Sequence, residues 1–262
     1  MNEGPIDAVI PLGPNDRGLV DFSARSIRRF VDGVRMIWIV SREDPGLPDT
    51  VFVPEDRFPF RIADVQAALG TTMRAGWYLQ QLIKLYVPQA IPESLDRYLV
   101  TDADTLFLRR CRFVEGGRPV FNFGTEFHAP YFEHMARVHP GLRKLFTYSG
   151  ITHCMLFDRH WVAQLIATVE AHHQGKPFWR IFLEAVDPIH VERSGASEYE
   201  MYFNFCLQTH PGDILIKQLR WTNTGTVEGV RPDLHDYVSL HWYGRAERLD
   251  RKALAQKVFG PG

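Results

Sequence analysis

The sequence predicts an α/β domain in which helices cover both faces of a mixed, mainly parallel sheet. Two observations carry this. The first half alternates short apolar, β-branched runs with longer stretches whose apolar residues recur at helical spacing. That strand–helix–strand order builds a parallel sheet with helical layers above and below it. In addition, no internal repeat, low-complexity stretch or long linker divides the 262 residues, of which 45% are hydrophobic. That is enough for one substantial core, so a single domain over residues 1–262 is expected.

The elements follow in order. "IDAVIPL" (6–12) is a first strand that stops at the turn-forming "GPND". From Asp16 to Val31, residues Leu19, Val20, Phe22, Ile27, Phe30 and Val31 share one helical face, with Arg25, Arg28 and Arg29 opposite. "RMIWIV" (35–40) and "VFV" (51–53) are strands. "RIADVQAALG" and "RAGWYLQQLIKLYV" are helices, the second ending before Pro88, whose ring and missing N–H oppose continuation. "RYLVTDAD" is the next strand. Beyond it "PVFNF" and "THCMLF" read as strands, and "HWVAQLIATVEAHHQG", "PFWRIFLEAV" and "SEYEMYFNFCLQTH" as helices. "DILI" and "YVSLHWY" (237–243) are late strands, and a last helix runs from about Arg245 to Val258.

Composition removes several classes of function. Basic and acidic residues number 30 and 31, a net charge of −1, which leaves no basic field to gather nucleic acid or anionic lipid. No apolar run approaches the roughly 20 residues of a membrane-crossing helix. The start, "MNEGPIDAVIPLG", lacks the basic-then-apolar pattern of a signal peptide. Cys111, Cys154 and Cys206 are odd in number and far apart, which reads as reduced thiols rather than a disulfide framework or zinc site. A soluble cytoplasmic protein is the expectation.

The chemistry concentrates in "YLVTDADTLFL" (98–108), where Asp102 and Asp104 interrupt an otherwise apolar run. Burying one unpaired carboxylate costs several kcal/mol or forces it to take a proton. Residues two apart on a strand point the same way. At the carboxyl end of a strand they face the crevice where open α/β folds bind ligands. Carboxylate oxygens there suit a hard divalent cation that can bridge to diphosphate oxygens. A solvated turn would also accommodate two aspartates, but apolar residues on both sides favour the functional reading.

"VTDADTLFL" resembles the DxD segment of GT-A-fold glycosyltransferases. "GWYLQQLIKLYVPQAI" is similar to the helix before the metal strand in family-8 and family-24 type enzymes, and "SLHWY" falls where many members place a metal-binding histidine. "ITHCMLFDR" and "SEYE" resemble segments of uncharacterised bacterial glycosyltransferase-like proteins. The resemblance implies a GT-A-like, Rossmann-like fold with a nucleotide-binding half over 1–110 and an acceptor-side half over 111–262. It also implies transfer of a sugar from a nucleotide-diphosphate donor, a UDP-sugar as the first choice, to a hydroxyl of a glycan or other acceptor. Asp104 and His241 would hold Mn²⁺ or Mg²⁺, with Asp102 bridging to ribose or to the ion.

Other residues join this reading, each with a plainer alternative. His241 is a good ligand for such ions, or a partly buried histidine satisfied by the protein. Ser197 and Glu200 form an S-x-x-E capping box. Glu198 is left at the first helical position, where inverting GT-A enzymes often present a general base and where any acid suits the positive helix end. Trp77, Gln80, Gln81 and Lys84 share a helix face; Lys84 suits a diphosphate, the glutamines a ribose or sugar, and Arg74 a phosphate fork. Packing accounts for Trp77 equally well. Pro11, Leu12, Asn15 and Asp16 follow the first strand, where a GT-A fold receives the nucleobase and ribose, although turn chemistry gives the same letters. His153 follows a bend at "SGI" and is a candidate for the acceptor side, or a core histidine. His172 and His173 read as solvated. Two other functions remain in view. One is a DxD phosphohydrolase, disfavoured because Leu106 stands where that pattern expects Thr or Val. The other is a GT-A-like domain that binds a sugar nucleotide or glycan without turning it over.

Overall fold

The computed structural model of the protein describes residues 4–241, 244–245 and 249–260. The strands are β1 (Ile6–Pro11), β2 (Val34–Ser41), β3 (Val51–Pro54), β4 (Arg97–Thr101), β5 (Thr105–Phe107), β6 (Val114–Glu115), β7 (Arg118–Phe121), β8 (Cys154–Asp158), β9 (Leu215–Ile216), β10 (Trp221–Asn223) and β11 (Tyr237–Ser239). The helices are α1 (Val20–Phe30), α2 (Ile62–Leu69), α3 (Ala75–Ala90), α4 (Ala129–Val138), α5 (Arg159–His172), α6 (Phe178–Glu184), α7 (Glu198–Thr209) and α8 (Arg251–Phe259).

The central sheet has the order β3-β2-β1-β4-β8, parallel throughout except for β8, which runs antiparallel to β4. Ala8, Val9 and Ile10 of β1 and Leu99 and Val100 of β4 are completely buried, as expected of strands covered on both faces. Val9 and Val100 pack into one core with Leu82 and Leu85 of α3 and Met201 and Phe205 of α7. Ala8, Ile10 and Leu99 pack into another with Val20, Ala24 and Ile27 of α1. The mixed, mainly parallel sheet with helices on both faces is therefore the architecture of the chain.

Two small sheets, β10-β11-β5 and β6-β7-β9, flank this layer. β5 belongs to the first of them, so the chain passes between sheets through residues 102–104. The aspartates accordingly sit in a link at the end of β4, not within one strand. The ladder between β4 and β8 ends at the pair Thr101 and Cys154. His153, next in line, has φ of 61° and turns the backbone away from the sheet. Asp102 N–H still donates to the His153 carbonyl at 2.9 Å, and Thr105 N–H closes the turn onto the Asp102 carbonyl at 3.0 Å.

Several elements differ from expectation. Helix α3 continues through Pro88 to Ala90. Proline deprives the Lys84 carbonyl of its i+4 donor, and the Tyr98 hydroxyl donates to that carbonyl instead at 3.4 Å. Helix α4 was not anticipated; its buried Tyr131, His134, Met135 and Val138 do have helical spacing, but His134 breaks the apolar stripe. The last helix begins at Arg251, later than expected, because the Asp250 carboxylate accepts from Lys252 and Ala253 N–H groups and caps it there. β11 ends at Ser239; Trp242 and Tyr243 of the expected late strand, and 246–248 of the expected last helix, lie outside the described residues. No described helix is long and apolar enough to cross a membrane.

His134 is fully buried and its Nε2 donates to the Phe182 carbonyl at 2.8 Å, tying α4 to α6. Burial disfavours the imidazolium and lowers the pKa from the ordinary 6.5 to about 4. The unfolded chain takes up this proton near pH 6.5, whereas the folded chain resists until about pH 4. Stability from this residue is thus fully present above pH 6.5 and is lost as pH falls toward 4, by roughly 3 kcal/mol. Urea unfolding at pH 7 and pH 4.5 should show the advantage of the wild type over His134→Gln shrinking with acidification. An advantage that does not change with pH would mean that the folded state protonates His134 normally.

Candidate active site

The site forms at the carboxyl ends of β1 and β4, which the antiparallel β8 enters by its first residue. The β4–β5 link supplies Asp102 and Asp104, the middle of α3 supplies Lys84, the first turn of α7 supplies Glu198, and the residue before β8 is His153. Lys84 Nζ donates to Asp102 Oδ1 at 2.7 Å and to Glu198 Oε1 at 2.7 Å, with its side chain only 7% exposed. Its ammonium also lies 4.1 Å from the ring centre of Tyr199, whose hydroxyl donates to Asp102 Oδ1 at 3.3 Å. His153 Nδ1 approaches the other oxygen, Oδ2, at 3.0 Å. Both carboxylate oxygens of Asp102 are thereby engaged.

Burial opposes charge throughout this cluster, and the partners decide the outcome. At Asp102 burial favours the neutral acid, but Lys84 and then His153 outweigh it and hold the carboxyl well below its usual range. At Lys84 burial opposes the ammonium, yet Asp102 and Glu198 keep its pKa above the ordinary lysine value. At Glu198 burial prevails over Lys84, so its proton affinity is raised. The His153 pKa is also raised, because Asp102 outweighs burial.

Asp104 is nearly buried and accepts from Ser239 Oγ at 2.9 Å. The Arg245 guanidinium lies 3.6 Å from Asp104 Oδ2 and 2.7 Å from Asp16 Oδ1, and also donates to the Asn15 and Leu240 carbonyls. Burial first, and then Asp104, raises the pKa of Asp16. His241 is half-buried, with its ring centre 5.9 Å from that of His153 at an interplanar angle of 72°. Burial lowers its pKa despite the opposing field of Asp104. Four carboxylates, those of Asp16, Asp102, Asp104 and Glu198, thus face two permanent cations, Lys84 and Arg245. Among the described residues no three His, Cys, Asp or Glu side chains converge as a formed metal centre. The donor set is nevertheless carboxylate oxygen and imidazole nitrogen with surplus negative charge, which fits a hard divalent cation.

The remaining candidates spread along the same edge. Pro11 and Leu12 are buried, and Leu12 N–H donates to the Val40 carbonyl at 2.8 Å. Gly13 follows, where a Cβ would stand 2.7 Å from Gln80 Nε2, so a side chain there would make the Gln80 amide shift. Gln81 Oε1 accepts from Glu198 N–H at 3.1 Å, while its buried Nε2 has no partner among the described residues. Arg74 adopts φ of 55° just before α3 and stacks its guanidinium 4.4 Å over Trp77, at the far end of the helix from Pro88. The structure therefore gathers Lys84, Gln81, Asp102, His153 and Glu198 into one network and sets Asp16, Asp104 and His241 beside it. Arg74 and Trp77 pair with each other. Tyr199, Ser239 and Arg245 escaped the sequence reading. Tyr199 lies between the two glutamates of "SEYE" and Ser239 two residues before His241, which are usable signals; Arg245, in a loop, offered none.

Only half of the expected capping box forms. Ser197 Oγ accepts from Glu200 N–H at 3.2 Å, but the Glu200 carboxylate accepts from Ser149 Oγ at 2.6 Å and Asn204 Nδ2 at 3.0 Å instead of returning to Ser197. Glu200→Ala strands two buried donors and should cost about 1–3 kcal/mol in urea unfolding. A loss of only a few tenths of a kcal/mol would mean that these bonds add little.

The family model DUF6492, described as a family of unknown function, matches residues 23–260. No curated protein sequence matches the chain. Among solved structures, mouse xyloside xylosyltransferase 1 in its apo form is similar with a TM-score of 0.50 at 12% sequence identity, over 93% of this chain and 99% of that one. A likeness at that identity shows a shared fold, here a GT-A-like glycosyltransferase fold. The match over most of the sequence makes the chain a member of the DUF6492 family.

Proposed function

We propose that the protein is a metal-dependent glycosyltransferase that moves a sugar from a nucleotide-diphosphate donor to an acceptor hydroxyl. The observation that carries this reading is the placement of Asp102 and Asp104 in a link between two sheets, at the strand ends where α/β folds bind nucleotides. The loop of Pro11, Leu12, Asn15 and Asp16 borders the same edge and would receive the nucleobase and ribose. Asp104 and His241 would hold Mn²⁺ or Mg²⁺, and the ion would neutralise a departing diphosphate. Lys84 keeps Asp102 ionised and fixes Glu198 at its side. Glu198 accepts the proton of the attacking hydroxyl, and its raised proton affinity makes it a stronger base than an exposed glutamate. The near-complete burial of Glu198 favours a second reading, in which the domain binds a sugar nucleotide without turnover. Release of nucleoside diphosphate over time separates the two.

A panel of nucleotide sugars, UDP-sugars first, tested by thermal shift with Mn²⁺ and with EDTA checks the main reading. A true donor at a hundredfold excess over Kd should add about 2.7 kcal/mol, seen as a rise in Tm with Mn²⁺ only. Asp104→Asn should abolish the shift. Glu198→Gln should keep the shift while lowering transfer roughly 10²–10⁴-fold. Equal shifts in EDTA would remove the metal from the reading, and no shift with any donor would remove the donor.

A further inference from the structure

We infer that His153 is a ligand of the same divalent cation through its Nε2, with Asp102 orienting its ring from behind rather than binding the ion itself. This rests on the proposed function. A carboxylate can only accept, so the 3.0 Å contact from Nδ1 to Asp102 Oδ2 places a proton on Nδ1. In the neutral ring Nε2 carries a lone pair, and in the imidazolium that Asp102 favours it carries a proton that the ion would displace. This atom is buried and has no partner among the described residues, in a residue only 7% exposed. A buried ring nitrogen without a partner is costly in either form, and a cation in place of the proton would satisfy it. Carboxylate–histidine–metal chains of this order recur because the carboxylate fixes both the tautomer and the ring orientation.

The ring is held twice by one residue. Asp102 accepts from Nδ1 through its carboxylate, and its backbone N–H donates to the His153 carbonyl at 2.9 Å. The backbone of His153 is in the left-handed region at φ of 61°, which a residue with a Cβ adopts only at a cost. The surroundings enforce it: the Tyr237 hydroxyl donates to the Thr152 carbonyl at 2.7 Å, and Thr152 Oγ1 donates to the Cys154 carbonyl at 2.9 Å. Trp221 closes one side, with ring centres 5.2 Å apart. The His241 ring is also near, and the 5.9 Å between the two imidazole centres is within reach of two rings on one ion. With metal–nitrogen bonds of about 2 Å each ring centre stands roughly 3 Å from the ion, so two centres on one ion lie between roughly 4.5 and 6.5 Å apart. Asp102 already gives Oδ1 to Lys84 and Tyr199 and Oδ2 to His153, so its carboxylate is committed to orienting these side chains.

The test is electron spin-echo spectroscopy of Mn²⁺ added, with and without UDP, to the protein, alongside a Mn²⁺ titration. The wild type should show two coupled histidine nitrogens, whose ¹⁴N modulation vanishes when histidine is ¹⁵N-labelled. His153→Asn, which tolerates the left-handed backbone, should show one nitrogen and a Mn²⁺ Kd raised roughly tenfold or more. The labelled wild type answers the question even if that variant fails to fold. A single histidine nitrogen in the wild type, or unchanged coupling in His153→Asn, overturns the inference while leaving metal-dependent donor binding intact. No bound Mn²⁺ at all overturns the inference together with the metal reading.

Discussion

Lys84 carries one buried positive charge to the point where the buried Glu198 carboxylate and the partly exposed Asp102 carboxylate meet. Each ion leaves water at a penalty of several kcal/mol. Each contact to the Lys84 ammonium returns about 5 kcal/mol at the effective dielectric of a protein interior. The balance is close, so the arrangement exists only while all three members are present. The cost of removing one partner comes less from the lost attraction than from the uncompensated charge left behind. Asp102 gains further support from His153 and Tyr199; Glu198, whose proton affinity is raised, is the weaker end of the network.

The backbone is arranged to bring these three side chains to one point. α3 delivers Lys84 from its buried middle and can run on through Pro88 because Tyr98 of β4 takes up the Lys84 carbonyl. The same residue thus bonds β4 through its main chain and the residue just beyond β4, Asp102, through its side chain. α7 begins at Glu198, so that the acid enters at a helix end, with its N–H bound by Gln81 one turn before Lys84 on α3. The left-handed turn at His153 ends the β4–β8 ladder and frees the link to cross to the second sheet. Fold and site are therefore one set of contacts. The buried phenol, the strained histidine and the paired aspartates each serve both.

Much of the fold was legible in the sequence because periodicity is a local property. The runs that became β1, β2, β3 and β4 stood out as apolar strands, and α1, α2, α5 and α7 announced themselves by spacing. Helix α4 did not, since Pro130 and His134 blur its stripe, although the buried His134 finds its partner in the Phe182 carbonyl. The paired aspartates drew notice because carboxylates in an apolar run need an explanation. The bond of Asp102 to Lys84 spans 18 residues, and that of Lys84 to Glu198 spans 114, so nothing local could reveal the pairing. The left-handed backbone of His153 is equally invisible in a sequence, since positive φ is readable only where glycine or asparagine advertises it.

The central claim is that one buried ammonium holds two carboxylates that would otherwise repel each other. Urea unfolding of Lys84→Met, Glu198→Gln and the double variant at neutral pH tests it most directly. Lys84→Met alone should lose on the order of 3–5 kcal/mol, because it leaves the buried Glu198 carboxylate unpaired. The double variant should be more stable than Lys84→Met, since removing the second charge relieves part of that penalty. If the two losses simply add, so that the double variant is the least stable of the three, Lys84 does not hold the pair and the account is wrong.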